Sequence, residues 1–364
     1  MKNMYLLFAT LMTFFMGAFV GSVGGLNPMA SGGALVLAKV FIPTQAGALN
    51  MAVGFDLTDL NTKLGAYFRK YESKIWAGVF QGIEFEKQMT PIGGVSDEYV
   101  TTSATIDDVI QPYQCDWTPK GKASFRARIN KVRALKVDYD FECIDEIYHS
   151  WLADMADERS PRKDWPFVKY VVFQLIVPKM QEELEAISYN GVYQAPTAGT
   201  ASPYLDSTDG IGTIIANEIT AGNITPINTG ALTPSNMVDR VDFFIDSIPH
   251  KYRHVNGVVL MSKTNAMNYY RDYRANFGGN NNYNGNEDLM IPHTGKKIVG
   301  ITAMEGSDRI IFTPKSNMIK MYDKIDKPGK FQVQQDKRKV HIFTDFKRGY
   351  GFKNLDIVFV NDQA

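Results

Sequence analysis

The stretch Trp165–Asn190, WPFVKYVVFQLIVPKMQEELEAISYN, predicts a long amphipathic helix that ends at Gly191. Pro178 lies inside the stretch and should kink or split the helix, because proline lacks a backbone donor and clashes with the preceding turn. The apolar residues that form one stripe of the helix are Val168, Val171, Val172, Leu175, Ile176, Met180, Leu184 and Ile187.

Downstream of this helix the composition of the chain changes twice. Residues 192–233 are rich in Gly, Pro, Thr and Ser and predict a long irregular connection. A second compact unit then follows, with a helix from Thr233, a buried strand over Val255–Met261 and a helix over Lys263–Phe277. The Asn/Gly-rich stretch Asn276–Glu287 predicts an exposed loop.

The chain closes with a run of short strands. Alternating and β-branched residues predict strands over Lys297–Ala303, Arg309–Thr313, Met318–Tyr322, Phe331–Gln335, Val340–Asp345 and Ile357–Val360. Helices and strands therefore come in runs without regular βαβ alternation, which predicts the α+β class.

Upstream of the long helix, the pattern predicts a helix over Gly47–Trp76 and then a charged β-hairpin region. Runs over Thr105–Pro112, Ala123–Val132 and Ala134–Phe141 alternate between apolar and polar residues, with a turn signal at Pro119–Lys122. Such a hairpin has too little core of its own. We therefore expect it to lie on another surface, such as a neighbouring subunit.

The first residues have no charged side chain between Lys2 and Lys39, and Tyr5–Val23 is long enough to span a bilayer. Three interpretations stay open. The segment is an export or anchor signal, or it is a buried or removed arm of an assembly, or the protein starts further on, near Met51.

No motif in the chain predicts catalysis, a cofactor or a metal ion. The P-loop, nucleophile-elbow, HExxH and dinucleotide-binding patterns are absent from the sequence. Cys115 and Cys143 are 28 residues apart, and two cysteines are too few ligands for a structural zinc site. We expect two free, mostly buried thiols. Lys plus Arg equals Asp plus Glu at 39 each, which argues against a dedicated nucleic-acid binder.

The order of these elements resembles that of the Hong Kong 97-type major capsid proteins of tailed phages. The likeness is strongest in the helix-to-loop passage Gln181–Gly212 and in the tail Ile298–Val360, which includes DRIIFTPKSN at Asp308–Asn317 and VHIFTDFKRG at Val340–Gly349. The apolar first fifty residues depart from the usual pattern of the family, in which an arm or a charged scaffolding segment is expected.

The resemblance implies six regions. They are an apolar N-terminal segment at 1–50, an N-terminal arm at 51–100, an extended hairpin loop at 101–142, a peripheral domain with a spine helix at 143–232, an axial α/β domain at 233–322 and closing strands of the peripheral domain at 323–364.

The resemblance also implies a function, a non-enzymatic subunit that forms hexamers and pentamers of an icosahedral phage head around double-stranded DNA. Expected partners are other copies, scaffolding, portal and decoration proteins, and DNA by non-specific contact, in a virion assembled in the host cytoplasm. Residues expected at subunit interfaces are Arg126, Arg128, Lys131, Arg133, Lys136, Asn281, Asn282 and Tyr283.

Two alternatives to a phage head remain at this point. An encapsulin-like nanocompartment shell would share the fold and would enclose a cargo enzyme. A secreted or membrane-anchored binding protein would use Tyr5–Val23 for export or anchoring.

Overall fold

The computed structural model describes residues 57–141, 167–277, 290–291, 294–323, 329–337 and 339–363. The segment Tyr5–Val23, the predicted free thiol Cys143 and most of the loop Asn276–Glu287 lie outside these ranges. No helix of the described ranges is long and apolar enough to cross a bilayer.

The helices of the described residues are α1 (Leu57–Gly82), α2 (Phe167–Tyr170), α3 (Val177–Asn190), α4 (Ile211–Thr220), α5 (Met237–Asp246), α6 (His250–Arg253) and α7 (Lys263–Phe277). The strands are β1 (Thr90–Gly93), β2 (Glu98–Ile106), β3 (Ala123–Lys131), β4 (Arg133–Phe141), β5 (Val258–Ser262), β6 (Met290–Ile291), β7 (Lys296–Ile301), β8 (Ile311–Thr313), β9 (Met318–Tyr322), β10 (Gln332–Asp336), β11 (Lys339–Phe352) and β12 (Phe359–Val360).

The first sheet is organised by the fourteen-residue strand β11. The strand order is β1-β9-β11-β10, and β4 also pairs with β11. Helix α1 packs against this sheet through its buried apolar face, which includes Phe68 and Trp76. The Trp76 ring lies 5.2 Å from that of Phe346 on β11, and its Nε1 donates to the Gly329 carbonyl at 2.8 Å.

The second sheet has the order β12-β8-β5-β7-β6. Strand β5 is buried along most of its length, as the apolar run around Val259 predicts, and it pairs in parallel with β7 and antiparallel with β8. The buried faces of α5 and α7 pack onto this core, with Phe244 and Tyr269 as the largest rings that they contribute. Strand β12, from the end of the chain, completes the sheet next to β8.

The predicted interruption at Pro178 takes the form of a π-helical turn. Residues Val171–Ile176 form this turn between α2 and α3, and the Val177 amide donates to the Val172 carbonyl five residues back. Pro178 then lies in the first turn of α3, where a missing N–H costs nothing. The chain stays helical through the proline because the wider turn absorbs the change.

Helix α3 ends at Gly191 as predicted, but for a different physical reason. Gly191 has a φ of −58°, so the left-handed cap that glycine usually supplies is absent. A Cβ at Gly191 would lie 2.2 Å from the Thr208 carbonyl oxygen. The glycine is therefore required by the close return of the chain, where the Gly210 amide donates to the Gly191 carbonyl at 2.8 Å.

Three expectations were wrong. The connection 192–233 contains helix α4, which forms because Ile211 and Ile215 are fully buried. The run Thr105–Pro112 is not a strand beyond Ile106, since pairing with β3 ends where Ile106 faces Ala123. Cys115 is a free thiol but is exposed, because it lies in the tip of the hairpin region.

Candidate subunit interface

Among the described residues, the β2–β3 hairpin is fastened to the first sheet at its base. Asn130 is buried there and donates from Nδ2 to the Phe352 carbonyl of β11 at 3.2 Å. Gly351 of β11 makes room for this contact, since a Cβ there would lie 2.2 Å from the Asn130 Oδ1. The base of the hairpin itself is closed by a hydrogen bond of 2.7 Å from the Val132 amide to the Asp97 carbonyl.

Beyond its base, the hairpin is a two-stranded ribbon without a third strand among the described residues. Nine residue pairs join β2 to β3, from Glu98 opposite Lys131 to Ile106 opposite Ala123. Two-stranded ribbons are marginally stable in water unless a face is covered. Large apolar side chains are nevertheless exposed along this ribbon, at Val100, Ile106, Phe125 and Ile129.

The connection between β2 and β3, residues 107–122, forms the tip of the hairpin and presents the most exposed large side chains. Ile110, Tyr113 and Trp117 are each more than nine-tenths exposed, at 92%, 93% and 91%. The tip has internal hydrogen bonds, including one of 2.7 Å from the Gln111 Nε2 to the Thr118 carbonyl. Exposed aromatic clusters of this kind mark sites of protein association.

Two of the predicted basic residues are engaged within the chain. The Arg128 guanidinium lies 2.5 Å from the Glu218 carboxylate of α4, and both side chains are about one-fifth exposed, at 19% and 18%. The Arg133 guanidinium stacks 3.7 Å from the centre of the Tyr193 ring. These contacts fasten the strands to the chain itself.

The other basic residues lie on the surface. Lys136 forms an exposed ion pair of 2.6 Å with Asp138, two residues along the same strand. Arg126 and Lys131 are exposed. The five basic residues therefore do not form one continuous patch, and their role between subunits stays a prediction.

The predicted loop residues Asn281, Asn282 and Tyr283 lie outside the described residues. The sequence pattern did not predict the exposure of the tip residues Ile110, Tyr113 and Trp117. A signal was present, because two aromatic rings stand between Pro112 and Pro119 in a stretch without an alternating pattern that would bury them.

A buried ionic cluster joins parts of the first sheet that are distant in the sequence. Glu86 is fully buried and accepts from the Arg348 Nε at 2.9 Å, the Tyr350 hydroxyl at 2.9 Å and the Lys320 Nζ at 3.3 Å. Burial alone would raise the pKa of Glu86, but the charges and hydrogen bonds of Arg348, Lys320 and Tyr350 outweigh it and lower the pKa.

The arrangement of this cluster is structural. Each polar group has its partner inside the fold, and the cluster ties the turn after α1 to β9 and β11. Among the described residues, no group of three or more His, Cys, Asp or Glu side chains is placed to hold a metal ion.

No protein-family model and no curated protein matches the chain. Solved structures do. The capsid of a native GTA particle computed with C5 symmetry is similar at a TM-score of 0.50 and 10% identity, over 77% of this chain and 89% of that chain.

Two further structures have lower scores. The satellite phage P4 procapsid including its size determination protein matches at a TM-score of 0.49 and 11% identity, over 79% of this chain and 97% of that one. A virus-like particle from Pyrococcus furiosus matches at 0.45 and 9% identity, over 81% and 99%. The likeness to the GTA capsid shows that the chain has a capsid-protein fold, which confirms the fold that the sequence resemblance implied.

Proposed function

We propose that this chain is the major capsid protein of a tailed phage or prophage. Copies of it assemble through hexamers and pentamers into an icosahedral head that encloses double-stranded DNA. The fold shared with a capsid protein supports the proposal, and the β2–β3 hairpin is the observation that carries it. The virion capsid is the corresponding location, with assembly in the host cytoplasm.

The hairpin exposes apolar surface that a monomer gains nothing from exposing. Burying a side chain the size of Ile110 or Tyr113 against a partner stabilises the contact by roughly 1.5–3 kcal/mol. The chain places such residues at the far end of a ribbon that leaves its own core at Asn130. A ribbon of this shape fits a neighbouring copy, which buries the tip while its own tip reaches the next subunit.

The exposed hairpin and the zero net charge of the chain also indicate its partners. Other copies of the chain are the main partner, and scaffolding, portal and decoration proteins bind the assembled lattice. The equal numbers of acidic and basic residues fit a shell that touches packaged DNA by non-specific contact only.

Imaging of the purified full chain tests this function. Size-exclusion chromatography with negative-stain electron microscopy should show closed shells or capsomer-sized rings. A monomer at every concentration would contradict the proposal and would favour the binding-protein alternative.

The contents of particles taken from the native source separate the two shell functions. A phage head should hold nuclease-protected double-stranded DNA. Particles that hold a cargo enzyme and no DNA would favour the encapsulin-like alternative.

A further inference from the structure

Helix α7 presents an exposed stripe that combines aromatic and cationic side chains. We define this cationic stripe as Met267, Tyr270, Arg271, Arg274 and Phe277, all of which are exposed. No described residue forms an ion pair with Arg271 or Arg274. Because exposed apolar side chains flank these charges, the stripe has the composition of an interface and differs from a merely solvated helix face.

Helix α5, in the same half of the molecule, presents the opposite charge. We define its acidic face as Asp239, Asp242, Phe243 and Asp246, with Phe243 51% exposed. Arg253 lies 3.5 Å from the Asp246 carboxylate and is the cation that the described residues supply to this face. Burial raises the pKa of Asp242, and the carboxylates of Asp246 and Asp239 raise it further.

The two surfaces cannot meet within one chain. The Val238 amide of α5 donates to the Asp272 carboxylate of α7 at 2.9 Å, so Asp272 marks the side of α7 that faces α5. At 3.6 residues per turn, positions 267, 270, 274 and 277 lie about 140–160° around the helix from position 272, and position 271 lies about 100° from it. The cationic stripe is therefore directed away from the helix that carries the acidic face.

From this charge complementarity we infer that the cationic stripe of one copy docks on the acidic face of the next copy. The inference rests on the proposed shell function and identifies which surfaces meet around a capsomer. Different surfaces of two identical chains make a heterologous contact, which closes into a ring when the rotation between copies allows it. Arg271 and Arg274 then pair with Asp239 and Asp242, and Phe243 packs among the apolar side chains of the stripe.

Charge reversal in the full chain tests the inference. We expect R271E/R274E and D239K/D242K each to lose assembly at concentrations where the unmodified chain forms rings or shells, with unchanged circular dichroism and melting temperature. The matched control R271K/R274K retains the charge and should assemble. A chain with all four reversals regains complementarity and should assemble again.

Mixing the two reversed chains gives a sharper result. Each repels itself, but the two attract each other at both surfaces, so they should form alternating rings with an even number of subunits. Six-membered rings should therefore be recovered and five-membered rings should not. Where a reversed chain fails to fold, the neutral variants R271Q/R274Q and D239N/D242N should raise the concentration required for assembly at least severalfold.

The outcomes separate the two claims. If the unmodified chain assembles and the folded reversed or neutral variants assemble equally well, the inference is wrong and the shell function stands. Failure of the folded four-reversal chain or of the mixture would also overturn the inference. If the unmodified chain never assembles, both claims fail.

Discussion

Strands β3 and β4 follow one another, are equally long at nine residues, and alternate charged and apolar side chains in the same way. Their surroundings differ completely. All nine residues of β4 pair with β11 inside the first sheet, whereas β3 pairs only with β2 and projects from the fold. An alternating pattern therefore predicts a strand, while the strand's pairing partner, inside the chain or outside it, decides what the strand does.

The two strands also differ in how they are stabilised. The sheet that contains β4 is fixed by the buried Glu86 cluster and by the packing of Trp76 and Phe346. The hairpin that contains β3 is held by Asn130 at its base and by the ion pair of Arg128 with Glu218, and it leaves its tip exposed. Stability and assembly should therefore respond to different substitutions.

Removing the charge of Glu86 should have the largest effect on stability. E86Q leaves Arg348 buried without its counter-charge, and we expect a loss of about 3–5 kcal/mol in the free energy of unfolding. Urea denaturation monitored by circular dichroism measures this free energy. The matched control E182Q alters an exposed helix residue paired with Lys179 and should change the value by less than about 0.5 kcal/mol. Equal effects of the two substitutions would show that the cluster does not stabilise the sheet.

Tyr350 should have a smaller effect that depends on pH. Y350F removes a hydrogen bond to the Glu86 carboxylate, which should cost about 1.5–3 kcal/mol near neutral pH. Burial and the nearby Glu86 charge raise the pKa of Tyr350 above its ordinary value of 10.0.

The folded state therefore holds the tyrosine proton more tightly than the unfolded state does. Its contribution to stability is complete below pH 10.0 and is lost as the pH rises above that value. The difference in the free energy of unfolding between the parent chain and Y350F should therefore decrease above pH 10.0. A difference that stays constant up to pH 11 would contradict the assignment.

Much of the fold could be predicted locally. The helix Lys263–Phe277 and the strand Met318–Tyr322 have the predicted bounds. The strand is a short apolar run buried on both faces, and the helix packs Ala266 and Tyr269 into the core of the second sheet. Helix α4 was missed because Gly210, Gly212 and Thr213 are typical of a loop, while the tertiary burial of Ile211 and Ile215 stabilises the helix.

The buried ionic cluster and the exposed hairpin tip were harder to predict than the helices and strands. Glu86 and Arg348 are separated by 262 positions, so no local pattern reveals their pairing. The exposed tip was missed for a related reason, since an apolar residue in a sequence does not tell whether its partner lies in the same chain.

Filling the space beside Gly351 at the hairpin base should reduce the free energy of unfolding by a smaller amount. The Cβ of G351A would lie 2.2 Å from the Asn130 Oδ1, so the buried Asn130 side chain must move and its hydrogen bond to the Phe352 carbonyl is disturbed. We expect a loss of about 1–3 kcal/mol in the free energy of unfolding, measured by thermal denaturation. The control G65A adds a Cβ on α1 whose nearest neighbour is 3.5 Å away, and it should stabilise the helix by about 0.5–1 kcal/mol. A neutral G351A would show that the base is not tightly packed.

Replacing the apolar tip while leaving the core intact tests directly whether the hairpin joins one subunit to the next. The triple variant I110S/Y113S/W117S should unfold within about 0.5 kcal/mol of the parent chain, because these side chains touch little of their own fold. Negative-stain electron microscopy should show shells or rings for the parent chain and only dispersed subunits for the variant. Shells of equal number and size from both chains would contradict the claim that the hairpin joins one subunit to the next.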